Sequence, residues 1–273
     1  MLNNLVKQLL PPIVLRFYRS LLKKNSSMWQ GNYASWQEAK ADCEGYEAKN
    51  IIDKVLAATL KVKNGEAVYE RDSVLFDEIQ YSWGLLSGLL LSASQNKGSI
   101  CVVDFGGSLG STYSQNKKFL DKLNNVTWCV VEQQNFVEKG KAFIEDNQLK
   151  FYSTIEECFE KHTPNVLILS SVLQYLEKPY EWLDKFLSYN FDMIIIDRTA
   201  FITGSNDILT KQNVPSSIYK ASYPAWFFNE ARMIEKVQTQ NYTLIEKTES
   251  YPGLVFSYPK NAQYLGHIFK KNK

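Results

Sequence analysis

The sequence predicts an α/β fold: a mostly parallel sheet of seven strands with helices on both faces, preceded by a helical cap. Three observations carry this. From Ser99 onward, short apolar runs alternate with longer amphipathic stretches, the pattern of βαβ units. The first run, Ile100 to Val103, has no polar alternation, as suits a strand covered on both faces. It ends in Asp104 and then Gly106, Gly107, Ser108 and Gly110, with Ser111 and Thr112 following. That order reads as strand, sharp turn and capped helix start.

The elements follow in chain order. Residues 1–30 form a basic amphipathic segment: Lys7, Arg16, Arg19, Lys23 and Lys24 precede the first acid, Glu38. The first 37 residues therefore carry +5, and the remaining 26 basic and 29 acidic residues carry −3. Pro11-Pro12 interrupts any helix there, so the pieces are too short and too charged to span a bilayer. Residues 1–24 are expected to lie on an anionic membrane surface, to dock on a partner or to pack on their own domain.

Residues 31–98 are expected to form the helical cap. Ser35 with Glu38 makes a capping box. Ile51, Ile52, Val55, Leu56, Ala58, Thr59 and Val62 recur at helical spacing. Asp72 to Leu91 reads as one long or two broken helices. The charged stretch Gly65 to Ser73 before it is either a solvated turn or a lid.

In residues 99–273, strands are expected at 100–104, 127–132, 149–152, 165–170, 192–197 and 242–248. A last strand is expected near 254–258 or 264–269, and helices near 112–123, 135–147, 154–161, 175–188 and 228–240. Ligands of such sheets bind at the carboxyl ends of the strands. Here those ends are Asp104, Glu132, Tyr152-Ser153, Ser170-Ser171 and Asp197-Arg198.

Composition narrows the function classes. The 273 residues suffice for a sizeable core. A net charge of +2 is too small to argue for nucleic acid. Four cysteines without a C-x-x-C pair fit a reducing cytoplasm, not a disulfide framework. Cys158 and His162 share a helical face but have no second pair to complete a metal site, so no metal is expected. No G-x-S-x-G elbow supports a serine hydrolase.

The glycine turn decides between cofactors. A dinucleotide fingerprint ending at Gly110 needs glycine at 105 and 107, and position 105 is Phe. What stands there, D-x-G-x-S-x-G from Asp104 to Gly110, resembles the first motif of class I S-adenosylmethionine-dependent methyltransferases, with Ser108 at the middle glycine. The plain alternative is a tight turn whose glycines only permit packing. Glu132, 22 residues after Gly110, suits a bidentate grip on ribose hydroxyls, a role common to both cofactor classes. The segment Ser170-Ser171-Val172-Leu173-Gln174-Tyr175-Leu176 resembles the methyltransferase stretch that runs beside the methionine part of the cofactor. A short-chain dehydrogenase needs Tyr-x-x-x-Lys about here, and that spacing occurs only as Tyr113 with Lys117.

Beyond the cofactor half, residues 31–60, 65–83 (GEAVYERDSVLFDEIQYSW), 103–119 (VDFGGSLGSTYSQNKKF), 130–141 and 151–158 are similar to a methyltransferase family encoded in bacterial surface-polysaccharide gene clusters. The resemblance implies a Rossmann-like class I methyltransferase sheet. S-adenosylmethionine would be held by Asp104, Gly106, Gly107, Ser108, Gly110, Glu132, Gln133, Ser170, Ser171 and Gln174. It implies O-methylation of a sugar or sugar-phosphate in surface glycan synthesis, in the cytoplasm, at the inner face of the membrane if the basic N-terminus binds there. Candidate bases are Asp197, Asp72 and Glu70; candidate acceptor contacts are Tyr69, Arg71, Tyr113, Arg198 and Trp226. The rival readings are a catalytically inactive methyltransferase-like module and an NAD-dependent oxidoreductase.

Overall fold

The computed structural model describes residues 28–44, 48–204, 206–214 and 221–272. The basic segment 1–24, and with it the expected membrane contact, lies outside the described residues. Among the described residues no helix is long and apolar enough to cross a membrane.

In chain order, β1 (Trp29–Gln30), α1 (Trp36–Ala41) and α2 (Ala48–Lys63) lead to a hairpin of β2 (Tyr69–Arg71) and β3 (Val74–Phe76), then α3 (Trp83–Gln95). The alternating part comprises β4 (Ser99–Phe105), α4 (Ser111–Leu120), β5 (Asn125–Val131), α5 (Gln134–Lys139), β6 (Leu149–Tyr152), α6 (Ile155–Lys161) and β7 (Val166–Ser170). It continues through α7 (Pro179–Ser188), β8 (Met193–Ile202), β9 (Ile208–Asn213), β10 (Ser222–Asn229), α8 (Glu230–Gln238), β11 (Tyr242–Glu249) and β12 (Ala262–Lys271).

Seven strands lie in the order β6-β5-β4-β7-β8-β12-β11. The first five pair in parallel, and β12 runs antiparallel to both β8 and β11. This is the mostly parallel sheet the sequence predicts. Side-chain alternation sorts its residues between two cores. Val102, Val166, Ile168 and Ile195 join α2 to α5 on one face, while Val103, Leu167, Leu169 and Ile196 join α6 to α8 on the other. Helix α3 is an integral layer, since a Cβ on Gly88 would come 2.8 Å from Ile195 Cδ1.

Two findings depart from the expected elements. The helix anticipated from Asp72 is, up to Phe76, the hairpin β2–β3. Asp72 and Ser73 both adopt the left-handed backbone (φ +52° and +66°) that reverses the chain, and helix α3 starts only at Trp83. The second finding is an antiparallel extension, β1-β9-β10, that continues the sheet where β10 takes up pairing with the last residues of β8. Its own small core gathers Trp29, Ala200, Ile202, Ala225, Phe227 and Phe256.

Phe227 is fully buried there, so Phe227→Ala is expected to cost about 3–5 kcal/mol in urea unfolding. A loss below about 1 kcal/mol would mean the extension is not part of the cooperative unit.

Candidate active site

The strand–turn–helix corner is built on left-handed backbone. Gly106, Ser108 and Gly110 have φ of +73°, +55° and +85°. A Cβ on Gly106 would come 2.6 Å from Val172 Cγ2, and one on Gly107 would come 2.6 Å from the Asp104 carboxylate. Ser108 holds without glycine a conformation that costs an L-residue about 1–2 kcal/mol, and such stored strain clusters at functional sites.

Three carboxyls surround this turn. Asp104 is buried beneath it and accepts a hydrogen bond from Trp128 Nε1 at 3.1 Å. Burial pushes its pKa up to about 7; Glu132 pushes the same way, and Trp128 and Arg198 pull against it. Glu132 accepts the Gln133 amide at 2.7 Å and also the Ser108 amide, and burial raises its pKa too. Glu70, 2% exposed, reaches over from β2 to accept Ser111 Oγ at the start of α4, leaving Oε2 without a partner. Burial lifts it to about 7, against the Ser111 hydrogen bond and with the help of Asp72.

The end of β7 and the middle of β8 form the opposite wall, because β8 runs on to Ile202, past the strand end expected at Asp197-Arg198. Between Thr199 and Ile196, β8 spends one more residue than β12 does between Leu265 and His267. This bulge places Asp197 and Arg198 opposite Gly266 and re-aims their side chains. Arg198 is left-handed (φ +46°), as is Ser171 (φ +56°) at the end of β7. Asp197 is saturated: it accepts Ser82 Oγ at 3.0 Å, Ser170 Oγ at 3.1 Å and Ser250 Oγ at 3.3 Å, and pairs with Arg198 Nε at 3.2 Å. Arg198 also donates from Nε and Nη2 to Ser170 Oγ. Gln174 donates to Ser171 Oγ and to the Arg198 carbonyl.

Beside the β8 wall lies a small cleft of about 70 Å³, lined by Arg71, Gln80, Tyr81, Ser82, Gln115, Arg198, Ser250 and Tyr251. Of the residues expected from the sequence, only Arg71 and Arg198 line this cleft among the described residues. Ser170, Ser171, Gln174 and Asp197 are hydrogen-bonded into its Arg198 wall. Glu70 and Glu132 lie against the glycine turn, and Tyr69 and Asp72 belong to the hairpin that carries Arg71. Tyr113 and Trp226 stand apart from the cleft. Tyr113 bonds Gln148 and packs on Trp128, whereas Trp226 donates to the Leu176 carbonyl and stacks on Trp36. Sequence reasoning missed Tyr251, Ser82 and Gln115. The Tyr251-Pro252-Gly253 turn, at a strand end of the kind that carries ligands, was the available signal for the first.

No family model matches the chain, and no curated protein matches it. Among solved structures it is similar to the Burkholderia thailandensis 1,6-didemethyltoxoflavin-N1-methyltransferase bound to 1,6-didemethyltoxoflavin and S-adenosylhomocysteine. That match has 9% identity and a TM-score of 0.44, covering 89% of this chain and 93% of that one. The N-terminal domain of EvdMO1, crystallised in the presence of S-adenosylhomocysteine and D-fucose, matches at 8% identity and TM-score 0.47, covering 75% and 90%. The magnesium protoporphyrin IX methyltransferase of Synechocystis PCC 6803 with bound S-adenosylmethionine matches at 12% and 0.44, covering 81% and 97%. Such distant likeness assigns no activity to this chain. The strand order, with its antiparallel β11–β12 pair beside β8, is that of the Rossmann-like class I methyltransferase fold.

The buried acids give stability a distinct pH dependence. Glu70 and Asp104 bind protons more tightly in the folded chain than in the unfolded one, where carboxyls titrate near 4. Between about pH 4 and 7 the folded state therefore holds more protons, and stability falls as pH rises through that window. Glu70→Gln removes one of these penalties, so urea unfolding at about pH 5 and pH 8 should show the variant gaining on wild type, by up to roughly 3 kcal/mol. Parallel behaviour of the two proteins would place the Glu70 carboxyl in water.

Proposed function

We propose that the chain is an S-adenosylmethionine-dependent methyltransferase that O-methylates a sugar or sugar-phosphate hydroxyl. The observation that carries the cofactor is charge. Asp104, Glu132 and Glu70 gather around the glycine turn, and among the described residues none of them forms an ion pair. A ligand with cationic sulfonium and ammonium groups favours the ionised form of these raised carboxyls, whereas the pyrophosphate of a dinucleotide would raise them further. The left-handed turn at Gly106, Ser108 and Gly110 leads the strand end directly into α4, the kind of corner that receives a nucleoside cofactor. When bound, S-adenosylmethionine supplies a methyl group already activated by its sulfonium.

The chain's own residues then divide the work. Glu132 accepts the ribose hydroxyls, with Gln133 beside it. Gly106, Gly107, Ser108 and Gly110 let the backbone approach. Ser170, Ser171 and Gln174 border the methionine end. The hairpin β2–β3 keeps water from the transfer. Tyr69, Arg71 and Arg198 hold the acceptor. Of the three acids named as bases, Asp197 has its lone pairs taken, and Glu70 is turned toward α4. Asp72, exposed at the hairpin turn and without a hydrogen-bond or ion-pair partner among the described residues, takes the proton of the acceptor hydroxyl. In this reading residues 31–98 form the cap and 99–273 the catalytic domain. The surface-glycan role rests on the similarity of the 65–83 and 103–119 blocks, and a place at the inner membrane face rests on the basic N-terminus.

Two measurements test this. In calorimetry, Glu132→Ala should weaken S-adenosylhomocysteine by roughly 1.5–3 kcal/mol, and Gly106→Val should abolish it; full affinity in both folded variants overturns the site. With methyl-labelled cofactor and a panel of sugars and sugar-phosphates, wild type should label an acceptor. Asp72→Asn should keep its affinity for S-adenosylhomocysteine while losing about 10²–10⁴-fold in rate. An unimpaired Asp72→Asn would remove Asp72 as the base.

A further inference from the structure

We propose that the cleft between the hairpin β2–β3 and the bulge of β8 is an oxyanion subsite, which takes a phosphate or carboxylate of the acceptor and ties the hairpin to the sheet. The proposal rests on the methyl-transfer reading only for the owner of the anion. Arg198 is 8% exposed, and its Nη1 has no hydrogen-bond partner. Its Nε and Nη2 are committed to Ser170 and Asp197, so the guanidinium is held with one edge aimed into the cleft it lines. Tyr69, 1% exposed, sets its buried hydroxyl against the Arg198 guanidinium, with no well-formed hydrogen bond to satisfy it. Burial raises its pKa, which keeps the phenol a donor, and the Arg198 charge beside it acts in the opposite sense.

Buried donors are costly to leave unmade; Arg198 lines the cleft, and the Tyr69 hydroxyl lies beside its guanidinium. The third member is Arg71. Its guanidinium lies over the Phe76 ring at 5.4 Å and the Tyr251 ring at 5.5 Å. Rings that cover its faces leave its N–H edges free, and among the described residues Arg71 forms no ion pair. Asp197 pairs with Arg198, and Arg71 has no ion-pair partner of its own among the described residues. A neutral hydroxyl can accept from one donor or two; an oxyanion can accept from two guanidinium edges and a phenol together. The cleft has room for one such group.

The donors come from different elements: Tyr69 and Arg71 from β2, Arg198 from β8. An anion bridging them fixes the hairpin, and the same hairpin carries Glu70 to Ser111 beside the glycine turn. Anion and cofactor therefore tighten each other's binding by the same factor.

The test is calorimetry of the full chain with inorganic phosphate, alone and with saturating S-adenosylhomocysteine. One saturable site is expected, tightened about fivefold or more by S-adenosylhomocysteine. Arg71→Ala and Tyr69→Phe leave the Asp197 pair intact and should each weaken phosphate by roughly tenfold or more. Absence of binding, or binding untouched in both variants, overturns the subsite. Displacement of phosphate by S-adenosylhomocysteine overturns it as an acceptor site, because the anion would then be the cofactor's own carboxylate. Phosphate binding with the expected variant losses but no S-adenosylhomocysteine binding keeps the subsite and overturns the methyl-transfer reading.

Discussion

The geometry of the site depends on one buried carboxylate. Asp197 collects a hydroxyl from the start of α3, one from the end of β7, one from the β11–β12 connection, and the guanidinium next to it in the chain. Four elements that meet at the strand ends are thereby held to a common point. Removing one partner of such a pair strands the other charge, at a cost of about 3–5 kcal/mol. The bulge that makes the pairing feasible also puts Arg198 in left-handed backbone. Strain there is tolerated because the surrounding hydrogen bonds over-determine the position.

Charge is distributed across the hairpin by the strand's own period. Neighbouring residues of β2 point to opposite faces. Glu70 accordingly turns to Ser111 and the glycine turn, while Tyr69 and Arg71 turn to Phe76, Tyr251 and Arg198. One short strand thus keeps an acid on the side of the three-carboxyl turn and a cation on the side of the cleft. A cationic ligand group is favoured at the first place and an anionic one at the second.

The sheet was legible because buried parallel strands are written as unbroken apolar runs, and because the turn after β4 spells its backbone out in glycines. The turn between β2 and β3 is spelled by Asp72 and Ser73, which adopt positive φ without announcing it. Its three-residue strands are also too short for a period to register, so β2 reads as part of a charged turn and β3 as the start of a helix. The β9–β10 pair was missed for another reason. Its strands carry Lys211, Gln212 and Pro224 among the apolar residues, since they lie in an antiparallel extension and not in the covered centre. Asp197 and Arg198 read as a strand end, but β8 continues through a bulge there to Ile202, and the bulge is what saturates the carboxylate with hydrogen bonds. Tyr113 sits on a helix that begins at the glycine turn, yet its side chain faces Trp128 and the core.

On this reading the acidic turn binds a cationic, not a pyrophosphate-bearing, nucleoside cofactor. Titration of the full chain with S-adenosylmethionine and, separately, with NADH tests it directly. Saturable one-to-one binding of S-adenosylmethionine with no heat from NADH is the predicted result. Binding of NADH at the site, or failure of S-adenosylmethionine to bind the folded chain, would contradict it.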